Sequence, residues 1–175
     1  PKNFDVRPTT DFAKEALFSI LANRYDVEFC SVLDLFAGIG SISLELASRD
    51  CQDITAVEMN PKHAAFINTT ASELEMALQI NVQRGDVFEW LKKNRTKKLY
   101  DIVFADPPFE LEEKKYNELI SLVLNNEFLK ENGTFVLEHQ SKMKLEHPNL
   151  TETRKYGNVS FSFFSSEMRV PSSEV

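Results

Sequence analysis

Two sets of residues in this chain have types and spacing that suit chemistry. The first is Asp106-Pro107-Pro108-Phe109, which ends the apolar run "YDIVFA". A carboxylate, two residues with no N–H to donate and an aromatic ring follow one another at a strand end. Such a set fits an exocyclic amine on a nucleobase. That nitrogen is a poor nucleophile because its lone pair is delocalised into the ring. Two acceptors aimed at its protons help it pyramidalise. Asp106 supplies a carboxylate, and the extended geometry imposed by the following proline lets the Pro107 carbonyl face a ligand. Phe109, with Pro108 beside it, offers a stacking face, and base stacking contributes about 1–3 kcal/mol. The same acceptors stabilise positive charge as it develops on nitrogen. The plainer alternative is a proline turn with a core phenylalanine.

The second set is Asp34, Glu58, Asp86 and Asp106, each following or ending a different strand-like segment. In open α/β sheets ligands sit beyond the carboxyl ends of the strands. "AGIGSIS" offers Gly38-x-Gly40, with Ser43 where a dinucleotide fingerprint has its third glycine. Glu58 stands twenty residues after Gly38, where a carboxylate accepts from ribose hydroxyls. A crevice ringed by carboxylates disfavours a pyrophosphate and suits a cationic nucleoside, so S-adenosylmethionine is the expected methyl donor. Asp34 would face its ammonium, directly or through water, and backbone at Ala37, Gly38 and Gly40 would line the methionine part. Glu58 would hold the ribose. Asp86 would accept from the adenine amino group, with Val87 beside it. Met59 either packs on the adenine or is a core residue.

The elements that must position these residues alternate along the chain. "CSVLDLFAG", "DITAVEM", "INVQRGD", "YDIVFAD" and "GTFVLEHQ" read as strands. "IGSISLELASR", a segment opened by Asn60-Pro61, "VFEWLKKN" and "KYNELISLVLNNEFL" read as the helices between them. This predicts a doubly wound, mostly parallel α/β sheet, with "TETRKYG" and "VSFSFFSS" closing as an antiparallel hairpin at Gly157-Asn158. Thr9, Thr10 and Asp11 read as caps of a first helix whose buried face is Ala13, Ala16, Leu17, Ile20 and Leu21. The expected organisation is one domain over 1–175: an N-terminal segment and helix over 1–29, a Rossmann-like core over 30–170 and a frayed tail over 171–175.

Composition narrows the class. The chain has 175 residues, 42% hydrophobic content and a net charge of −7. No apolar run approaches a membrane span and no signal peptide opens the chain; the sparse cysteines fit a reducing cytoplasm, and a monomer is the default expectation. Cys30 and Cys51 lack zinc or disulfide spacing, and His63, His139 and His147 show no partners at metal or catalytic spacing. No metal is expected. The acidic balance argues against a free nucleic-acid binder. "LKKNRTKK" (Leu91 to Lys98) is the densest basic run and reads either as a solvated helix end or as an RNA-backbone contact; Lys114 and Lys115 are further candidates. Arg7 reads as an RNA or ligand contact, or as a brace for the first helix.

"RPTTD..KEALF", "LDLFAGIGSISLELASR", "VEMN", "DIVFADPPF" and "KYGNVSFSFF" resemble the bacterial 16S ribosomal RNA guanine-N2 methyltransferase family over nearly the whole chain. The resemblance implies a class I methyltransferase fold that methylates the exocyclic amine of the guanine at nucleotide 966. It also implies 16S rRNA, or an assembling small ribosomal subunit, as partner. DPPF alone is shared with amino-methyltransferases acting on DNA, other RNAs or protein amides, which form the alternative reading. A non-catalytic binding module on the same fold is the other class. Three features depart from the family pattern. A basic arm usual ahead of RPTTD is missing from this sequence, which begins at Pro1 with no Met and reads as a trimmed fragment. Ser43 replaces a common glycine. "ELEEKKY" begins acidic, with Glu110, Glu112 and Glu113 set to crowd a phosphate backbone.

Overall fold

The computed structural model describes residues 11–167; Arg7, the caps expected at Thr9 and Thr10, and the tail 171–175 lie outside the described residues. α1 (Asp11–Arg24) and a single 3-10 turn (Val27–Phe29) lead into β1 (Ser31–Leu35), α2 (Ser41–Ser48), β2 (Asp53–Glu58) and α3 (Pro61–Glu73). There follow β3 (Ile80–Arg84), α4 (Val87–Lys93), β4 (Tyr100–Ala105), α5 (Glu113–Asn125), β5 (Leu129–Gln140), β6 (Leu150–Tyr156) and β7 (Val159–Ser165). The strands form a seven-stranded sheet in the order β3-β2-β1-β4-β5-β7-β6. β1 to β5 are parallel to one another, and β7 runs antiparallel between β5 and β6. The expected doubly wound sheet and closing hairpin are both present.

Both faces of the sheet are covered, which is why its inner strands are apolar almost throughout. Val32, Ile54 and Phe104 face a core shared with Leu17 of α1, Leu46 of α2 and Ile67 of α3. Leu33, Val57 and Val103 point the other way, against Leu91 of α4 and Leu119 of α5. Each fully buried aliphatic side chain contributes roughly 1.5–3 kcal/mol. Asn60 caps α3 by accepting from the backbone N–H of Lys62 and His63, with Pro61 at the first helical position.

Three local expectations need correction. α1 buries Phe18 as well as Ala13, Leu17, Ile20 and Leu21, while Ala16 is only half-buried. The apolar stripe widens because the Arg49 guanidinium covers the Phe18 ring at 4.7 Å. α5 stops at Asn125, four residues before the expected end. Asn126 turns its side chain back onto the Leu122 carbonyl and Glu127 adopts a left-handed φ of 57°. β5 therefore starts at Leu129, and a register shift lets Tyr100 pair with Leu129 and Ile102 with Thr134.

Candidate active site

The strand order reverses at β1, which has β2 on one side and β4 on the other. Leu35 pairs with Val57 across one edge and with Ala105 across the other. Phe36, Glu58 and Asp106 therefore leave the sheet at one level, at the switch point where such folds hold ligands.

The turn after β1 is built from left-handed residues: Phe36 (φ 58°), Gly38 (φ 59°) and Gly40 (φ 86°). Ala37 N donates to the Val57 carbonyl at 3.0 Å, and Gly40 N to the Ala37 carbonyl at 2.9 Å. The two glycines serve different ends. A Cβ on Gly38 would meet nothing within 4 Å, so the space over the turn is open. A Cβ on Gly40 would stand 2.8 Å from Ile67 Cγ1, so this glycine lets α3 pack against the turn. Glu58 ties the turn to β2: its Oε1 accepts from Gly38 N and its Oε2 from Asn60 N, both at 2.8 Å. A carboxylate offers about four lone-pair sites, which leaves acceptor capacity for ribose hydroxyls.

Asp34 departs from expectation. It is 1% exposed, and its Oδ2 accepts from Ser43 Oγ at 2.6 Å instead of facing the open space. Burial pushes its carboxyl up to about 7; hydrogen bonds from the Ser43 side chain and backbone pull it down, and the Glu58 charge adds to the rise. The residue in the third glycine's place thus holds this carboxylate. Asp86 caps α4 by accepting from Glu89 N at 3.1 Å and is exposed, with Val87 buried behind it. Met59 is 64% exposed, which removes its reading as a core residue.

In the run after β4, Asp106 is half-buried, Pro107 buried, and Pro108 and Phe109 exposed. Phe109 at 54% exposure is not a core phenylalanine. The turn that follows is closed by the Pro108 carbonyl, which accepts from Leu111 N at 3.0 Å. Among the described residues no group of three or more His, Cys, Asp or Glu is placed to hold a metal ion. No helix among them is long and apolar enough to cross a membrane. Cys30 and Cys51 are buried free thiols.

Residues 1–165 match the model of the family described as Conserved hypothetical protein 95. The chain belongs to that family. It is 30% identical over 165 residues to the ribosomal RNA small subunit methyltransferase D of Buchnera aphidicola subsp. Baizongia pistaciae, spanning 91% of this chain and 81% of that protein. A solved putative methyltransferase from Escherichia coli superposes with a TM-score of 0.79 at 27% identity, over 94% of this chain and 89% of that one. The fold is shared with the T. thermophilus 16S rRNA N2 G1207 methyltransferase, solved with AdoMet and guanosine. That likeness has a TM-score of 0.72 at 20% identity, over 93% of this chain and 44% of that one. Membership in the family agrees with the likeness carried by the RPTTD, glycine-turn and DPPF stretches.

The fold also brings to this end of the sheet two residues that their place in the sequence does not single out. His63 Nδ1 lies 3.8 Å from Glu58 Oε2, a contact whose only sequence signal is its place in the first turn after Asn60-Pro61. Glu138 is buried in β5, one residue past the Leu137–Ala105 pair and hence beside Asp106. A single acid inside "TFVLEHQ" was its signal. The Lys92–Lys98 run, by contrast, precedes β4 and sits at the opposite end of the strand from Asp106. Lys98 pairs there with Asp53, the first residue of β2, at 2.8 Å.

Proposed function

We propose that this protein transfers the methyl group of S-adenosylmethionine to the exocyclic N2 amine of a guanine in 16S ribosomal RNA, of the guanine-966 type. The observation that carries this reading is the placement of DPPF at the end of β4, next to the glycine turn that follows β1 and across β1 from Glu58, which braces that turn. The open space over Gly38, the spare acceptor capacity of Glu58 and the exposed Met59 suit a nucleoside with a cationic tail and no phosphate. Glu58 holds the ribose, Met59 packs on the adenine, and Asp86 accepts from its amino group with Val87 behind. The backbone of Ala37, Gly38 and Gly40 lines the methionine part. Asp34 acts through Ser43, fixing the first turn of α2 and with it the glycine turn.

When bound, S-adenosylmethionine supplies a methyl group on a sulfonium, whose sulfur keeps the bond electrons as the new N–C bond forms. The Asp106 carboxylate and the Pro107 carbonyl accept from the amine protons, which leaves the nitrogen lone pair directed at the methyl carbon. The same two oxygens stabilise the positive charge on nitrogen, and the Asp106 carboxylate takes the proton that departs. Phe109 and Pro108 bear the guanine ring after it is turned out of the RNA stack, a step that costs a few kcal/mol.

The test is a substrate panel. Methyl transfer from labelled donor is measured on protein-free 16S rRNA, assembled small subunits, duplex DNA and a protein extract. Label in RNA alone, recovered as N2-methylguanosine, is the expected result; label in DNA or protein in its place overturns the reading.

A further inference from the structure

The cations that a nucleic-acid reading first points to are badly placed or already paired. β4 separates the Lys92–Lys98 run from Asp106 by its whole length, roughly 20 Å at ~3.3 Å per residue. Thr96 N there bonds the Asn126 carbonyl at the far end of α5. Lys114 pairs with Glu112 at 3.2 Å and Lys115 with Glu118 at 3.0 Å.

A different group lies at the catalytic edge. β5 is parallel to β4, so the loop after Gln140 leaves the sheet on the same side as DPPF. β7 is antiparallel to β5, which brings the β6–β7 turn to that side as well. Lys142 and Lys144 lie in the loop and Lys155 two residues before the turn; all three are exposed and form no ion pair among the described residues. Hydrogen bonds join these pieces to the DPPF loop. Gln140 Nε2 donates to the Phe109 carbonyl at 3.4 Å, Ser141 N to the Asn158 carbonyl at 2.9 Å, and Ser141 Oγ to the Gly157 carbonyl at 2.8 Å.

We infer that Lys142, Lys144 and Lys155 form the track for the RNA phosphate backbone flanking the target guanine. The inference rests on the RNA-methylating reading above and names the surface that serves it. From β4 across β5 and β7 to β6 is three strand intervals, roughly 15 Å of sheet edge at ~4.8 Å each. Two of the three acids after DPPF lie off this path: Glu112 stands at the N-cap position of α5 and Glu113 begins that helix, both on the α5 side of Phe109, while the exposed Glu110 follows Phe109 directly. Phe12 adds an exposed ring at the same edge, set edge-on to Tyr156 at 5.8 Å. Unpaired cations beside rings are what a single-stranded segment next to a flipped base requires.

The experiment compares the wild type with K142Q/K144Q/K155Q and with K93Q/R95Q/K97Q at the opposite end. Affinity for protein-free small-subunit ribosomal RNA is measured across a salt series, alongside methylation at saturating RNA, donor affinity and thermal unfolding. Each backbone contact to a single strand contributes about 0.7 to the slope of log affinity against log salt. The first variant is expected to lose about 2 units of slope and roughly tenfold or more in affinity at moderate salt. Its turnover at saturating RNA, its donor affinity and its unfolding midpoint should stay near wild type. The second variant should match wild type throughout. An unchanged slope in the first variant, or an equal loss in the second, overturns the assignment. A wild type that binds donor but neither binds nor methylates RNA instead overturns the functional reading, and the track with it.

Discussion

Ser43 Oγ donates to Asp34 Oδ2 at 2.6 Å inside the sheet, so the first turn of α2 is fastened to β1 by a buried carboxylate. Because burial raises the folded-state value of Asp34 to about 7, the folded protein holds a proton that the unfolded chain releases near 4. The stability contributed by this proton is complete below the unfolded value and is lost as pH rises towards 7. Asp34→Asn should therefore flatten the fall in stability between pH 4 and 7, as read by urea unfolding at several pH values. A wild-type profile in the variant would mean that Asp34 does not titrate in this window.

The partner residue gives the complementary expectation. Ser43→Ala leaves the buried carboxylate short of a donor, at a cost of about 1–3 kcal/mol. The loss should be larger at pH 8, where the carboxylate is charged, than at pH 5. Denaturation at the two values checks it; equal losses would contradict the charge-assisted bond.

The two glycines of the turn should differ. Gly38→Ala meets only the left-handed backbone penalty, about 1–2 kcal/mol, because the space around its Cβ is open. Gly40→Ala adds the collision with Ile67, 2.8 Å from the new Cβ, and should lose more. Adding Ile67→Ala should cost less in the Gly40→Ala background than alone, a coupling that a double-mutant cycle in urea measures.

Glu58→Ala should weaken donor binding by roughly tenfold to a hundredfold, the equivalent of hydrogen bonds to a charged group at about 1.5–3 kcal/mol. Part of that loss would come through the glycine turn, since Glu58 also accepts from Gly38 N. Calorimetric titration checks it, and equal affinity would remove Glu58 from the donor site.

Much of this architecture is legible in the residue pattern. Short apolar runs such as "SVLDL" and "DITAVE" can only be inner parallel strands between covering helices, and Asn60-Pro61 is a helix start by its own chemistry. The exposure of Phe109 also follows from its place after a strand-end Asp-Pro-Pro. What could not be read depends on contacts between residues far apart in the chain. Asp34 stands two residues after Val32 and shares its face towards α2, but only the fold brings Ser43 over it. Density of charge along the chain made Lys92–Lys98 the conspicuous basic run. Strand direction puts it at the end away from DPPF, while Lys142, Lys144 and Lys155, scattered in sequence, lie at the DPPF end of the sheet. β5 hides Glu138 in the same way: its position beside Asp106 is a matter of register.

The most direct test of the account is single-turnover methyl transfer to 16S rRNA by Asp106→Ala, with donor affinity measured on the same preparation. The Asp106 carboxylate is assigned to the amine protons, so transfer should fall by about a hundredfold or more while donor binding is largely retained. Near-normal transfer by Asp106→Ala would contradict the amine-polarising mechanism and the function built on it.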